Sequence, residues 1–121
     1  MKRLFALAFI VAGLFSPSAV AEDLNVQRLL AQCNSTAVQD WWYCLGYVGA
    51  TSDVMMLNGV ALNVNPSSSA LKDLAICPPT AVSYGASRQA FINWAQKHPE
   101  NWSASMGVGV VLALREVWPC P

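Results

Sequence analysis

Four cysteines, one histidine and seven acids are the side chains of this chain with an evident capacity for chemistry. Cys33, Cys44, Cys77 and Cys120 are widely spaced, and His98 stands directly before Pro99. A thiol nucleophile needs a free cysteine beside a base. An even cysteine count in a short chain favours disulfides, which leave no thiol free. Zinc sites use tight ligand pairs, yet the sequence has no CxxC or CxH pair and one histidine only. Asp40 and Asp53 share one helical segment but stand 13 positions apart, too far for a paired acid and base. The residue types therefore predict no catalysis, no metal and no cofactor.

The elements that position these residues start after a leader. Met1-Lys2-Arg3 is basic, Leu4 to Phe15 is apolar, and Ala19 and Ala21 are the small residues of a cleavage site. Residues 1–21 read as a signal peptide cut after Ala21, which predicts export to the periplasm and no membrane anchor afterwards. Residues 22–121 are enough for one small domain. Lys2 and Arg3 leave with the leader, so five cations face seven acids and the net charge is −2. No basic cluster remains to neutralise phosphates, which argues against nucleic acid.

Apolar residues recur at helical spacing along the mature chain. Leu24 to Gln32 predicts a short helix capped by Asp23 or Asn25. Thr36 and Gln39 have capping-box spacing ahead of a second helix, which carries Trp41, Cys44, Leu45, Val48, Ser52 and Met55 on one face. Asn58-Gly59 is expected to stop it. Gly46 and Gly49 in that helix, and Gly107 and Gly109 further on, suggest close approach of neighbouring helices. Residues 60–76 lack a clear element beyond a helical turn after Ser68. Ser83 caps a third helix, Tyr84 to Lys97, which His98-Pro99 ends. A fourth runs from about Ser103 to Val117. Strand alternation is absent, so the expected fold is all-α, a small disulfide-stapled bundle of four main helices.

A short connection makes consecutive helices antiparallel neighbours. The third and fourth helices then form a hairpin whose open end holds Cys77 and Cys120. That predicts a Cys77–Cys120 bond and leaves Cys33 to pair with Cys44.

CLGYVGATSDV at 44–54, CPPTAVSYGASRQAF at 77–91, KHPENW at 97–102 and ALREVWPCP at 113–121 occur in that order. Together they resemble the Rap/Tai family of periplasmic immunity proteins, over nearly the whole mature chain. The resemblance implies protection against a peptidoglycan amidase effector delivered by type VI secretion, and it implies a homodimer. A small structural or chaperone-like helical protein without a toxin target is the other reading. It fits less well, since an acid-triggered chaperone would carry more titratable groups.

An inhibitor of a cleft enzyme needs a braced protrusion. The segment from Asn58 to Ile76 is the candidate, with Asn65, Pro66, Ser67, Ser68 and Ser69 small and polar at its middle. The turn carrying His98 and Trp102 is the second, because tryptophan dominates many interfaces.

Overall fold

The computed structural model describes residues 23–121, so the leader and its cleavage point lie outside the described residues. The fold is all-α, as expected, with five helices and no strands among the described residues. Helix α1 is Val26–Cys33, α2 Val38–Ala61, α3 Ser69–Asp73, α4 Tyr84–Lys97 and α5 Met106–Val117, with a 3-10 turn at Pro99–Asn101. No helix among them is long and apolar enough to cross a membrane.

Helix α1 forms because Val26, Leu29, Leu30 and Cys33 fall on one buried face and Asn25 Oδ1 accepts from the Arg28 N–H at 2.9 Å. Asn25 is thus the cap of the two candidates. At its far end the guanidinium of Arg88 on α4 donates to the Cys33 carbonyl, which the last helical turn leaves without an internal partner. Ser83 caps α4 as expected, accepting from the Ala86 N–H at 3.1 Å. Ser105 caps α5, which begins at Met106, later than the sequence suggests.

The capping box at Thr36 and Gln39 does not form. Ala37 is the cap residue of α2, without a side-chain bond, and Ser35 Oγ instead accepts from the Ala37 N–H. The Cys33–Cys44 bridge already sets where the chain enters α2. Asn58-Gly59 does not end the helix either; α2 continues to Ala61. A glycine stop needs left-handed backbone, and no described glycine has positive φ.

Phe91, Leu29, Val48, Val110 and Leu114 form the centre of the core, all fully buried. Each such side chain contributes about 1.5–3 kcal/mol by leaving water. Gly109 lets α1 and α5 meet, since a Cβ there would lie 2.3 Å from Val26. One polar pair is enclosed: Ser87 Oγ donates to Ser52 Oγ at 2.9 Å and fixes α4 against α2. Gly46 differs from expectation. Nothing lies within 4 Å of a Cβ built on it, so no helix of this chain approaches there.

Both cysteine pairs are as expected: Cys33 with Cys44 and Cys77 with Cys120, leaving no free thiol. The premise used to pair them is corrected, however. An antiparallel hairpin would put His98, at the end of α4, beside the start of α5. Instead His98 Nε2 lies 3.7 Å from Glu116 in the last turn of α5, so the two helix ends meet. The reason is the connection. Residues 102–106 double back along 24–27, with Val26 N–H bonded to Ala104 O and Met106 N–H to Leu24 O. Cys77 reaches Cys120 because Cys77 N–H is bonded to Trp118 O at 3.0 Å.

Candidate functional site

The segment 62–76 is a run of tight turns around α3: in front, the Val64 and Asn65 N–H groups bond to Ala61 O at the end of α2, and behind, two bonds to α2 brace it. Asn58 Nδ2 donates to Leu74 O at 2.8 Å, and Ile76 N–H to Met55 O at 3.1 Å. Ser68 caps α3 by accepting from the Leu71 N–H. Asn65, Pro66, Ser67 and Ser69 are exposed, and Ser67 Oγ donates to Asn65 Oδ1. The brace thus holds out a short polar turn with most of its side chains in solvent.

The last turn of α5 brings this segment and the His98 turn onto one end of the molecule. Arg115 approaches Asp73 of α3 at 3.6 Å, while its neighbour Glu116 approaches His98. The exposed Arg115–Asp73 pair is worth about 0–1 kcal/mol, so it orients α3 more than it stabilises it. Between α3, α5 and the tail after α5 lies an open groove of about 650 Å³, lined in part by Lys72, Asp73, Arg115 and Glu116; His98 does not line it. The Glu100 carboxyl is held below the usual carboxylate range, chiefly by its hydrogen bond to His98.

Trp102 is not displayed in the same way. Its indole N–H donates to Ala95 O at 2.8 Å, and its ring packs against the core. It holds the connection in place, and the structure does not bring it into the groove.

Two features escaped the sequence reading. The first is the outward face of α2, where Trp42 is 61% exposed and Leu57 68%, with Tyr43, Val54 and Val60 also exposed. Gly46 and Ala50 leave bare backbone between them. The signal was present: the positions off the buried stripe are apolar, whereas a solvated face would be polar. The second is a latch between α2 and α4. Tyr84 lays its ring on Gly49, where a Cβ would stand 2.6 Å from it, and its hydroxyl donates to Asp53 at 2.5 Å. That bond, and the charge behind it, raise the Tyr84 pKa. No local spacing announces a contact between residues this distant in sequence.

The frame displays a braced polar turn, and no metal-ligand cluster lies among its described residues. Residues 25–120 match the family model described as Rap1a immunity proteins, and the chain belongs to that family. Membership makes it an immunity protein whose partner is a cognate secreted effector, in a family that is generally non-enzymatic. No curated protein and no solved structure matches the chain.

Proposed function

We propose that this chain is a periplasmic immunity protein that blocks a peptidoglycan amidase effector by occupying its active-site groove, without chemistry of its own. The observation that carries this reading is the 65–69 turn, polar and largely exposed, tied in front to Ala61 O through the Asn65 N–H and held behind by the bonds at Leu74 and Ile76. A preorganised loop loses little freedom on binding, which is what a steric inhibitor needs. His98 flanks the same end, and Trp102 secures the connection behind it. The leader at 1–21 and the pairing of all four cysteines favour an oxidising compartment. Replacing Asn65, Pro66 and Ser67 by glycine keeps the Ser68 cap. It is expected to change the thermal midpoint little and to weaken inhibition of the cognate amidase at least about tenfold, a loss of roughly 1.4 kcal/mol in binding. Full inhibition by a stably folded variant would rule the turn out.

The outward face of α2 suits a second copy of the chain. Gly46 and Ala50 admit a partner helix, and the flanking Trp42 and Leu57 would gain burial. Light scattering at micromolar concentration should give twice the chain mass, and Leu57→Glu should halve it. A single-chain mass for the wild type would exclude the dimer.

A further inference from the structure

His98 is the only histidine of the chain, and both of its ring nitrogens face carboxylates. Nδ1 lies 2.8 Å from Glu100 Oε1 in the 3-10 turn, and Nε2 lies 3.7 Å from Glu116 Oε2 on α5. Trp94, one turn earlier on α4, places its ring centroid 5.0 Å from the imidazole. The remaining neighbours are polar or point elsewhere. Lys97 precedes His98 in the chain, Asn101 Nδ2 also reaches Glu100 at 3.4 Å, and Arg115 is turned toward Asp73.

A neutral imidazole carries one N–H. Donating it to Glu100 leaves a lone pair facing the Glu116 carboxylate, which repels it. The imidazolium has an N–H for each carboxylate and a positive charge beside the indole ring. We infer that His98 is a proton-operated clasp: charged, it ties the turn at Pro99–Asn101 to the last turn of α5, and neutral, it keeps one link and releases the other. Arg115 sits on that same turn of α5 and holds α3, so the clasp adjusts the end of the molecule that carries the 65–69 segment.

The working window follows from the two kinds of group. A link that needs imidazolium is present while His98 holds its second proton and is lost when that proton leaves. Glu100 sets the other edge. Its carboxyl is held below the ordinary value of 4.5, so its contribution is present above that value and is lost only as pH falls through the lower folded one. The clasp is therefore closed while the ring is charged and half open when it is neutral.

The single histidine makes the test direct, because its ring signal in an NMR titration needs no assignment among others. The mature protein and its Glu116→Gln variant are titrated between about pH 5 and pH 8. In the wild type the backbone amides of Glu116 and Val117 are expected to shift along the same curve as the His98 ring. In Glu116→Gln those amides should no longer follow the ring signal. Glu116 is on the surface, so the variant keeps its fold. Wild-type α5 amides that ignore the ring signal would overturn the clasp, and so would variant amides that still follow it. Neither readout involves an effector, so the result is independent of which enzyme the protein blocks.

Discussion

Replacing Cys77 and Cys120 together by alanine is expected to lower the unfolding free energy by about 4 kcal/mol on the chain-entropy model. The bridge spans 43 positions, against 11 for Cys33–Cys44, whose entropic share is about 3 kcal/mol by the same relation. The longer bridge also has a structural task. Ile76 and Cys77 form the rear brace of the exposed segment, one bonded to α2 and the other to the tail after α5. Its loss should therefore speed amide exchange from Leu74 to Cys77 beyond what global destabilisation requires. Urea unfolding without reductant measures the first effect. A loss below about 1 kcal/mol would mean that the unfolded chain is already constrained without the bridge.

The second large effect is expected from a single methyl group. A Cβ on Gly59 would stand 2.2 Å from the Ile76 carbonyl oxygen and 3.3 Å from Cys77 Sγ. Neither can move aside, because the Ile76 and Cys77 N–H groups are bonded to Met55 O and Trp118 O. Gly59→Ala must push the strap off α2, at a cost of about 2–3 kcal/mol from overpacking and weakened hydrogen bonds. Alanine is nonetheless the better helix former by about 1 kcal/mol. Gly46→Ala, in the same helix but with open space around it, should therefore stabilise the protein by roughly 0.5–1 kcal/mol. Thermal melts of the two variants make the comparison, and a Gly59→Ala protein as stable as wild type would refute the contact.

What could be read without coordinates was what local chemistry decides. Ser83 before an apolar stripe announced α4, and Ser68 announced the turn that became α3. An even set of cysteines announced two bridges. Thr36 and Gln39 misled because a capping box is a local option, and the Cys33–Cys44 tether overrode it. Gly46 and Gly59 look alike in sequence. Only the path of the Ile76 strap makes one indispensable to the chain's own packing, while the other lies on the open face of α2. The candidate site was half legible for the same reason. Asn65 to Ser69 stood out as polar and rich in turn formers, but its link to His98 runs through Arg115 and Glu116. Those residues are brought there by a connection that folds back along α1.

That fold-back also governs when the molecule can become complete. A chain emerges from its N-terminus, and residues 24–27 are bonded to residues 102–106, while Cys77 waits for Cys120. Residues 24–27 thus find their partners only once residues 102–106 have been made, and vectorial folding waits for α5. A partly made chain stays open and threadable, and trimming only Cys120 and Pro121 would leave the closure unfinished.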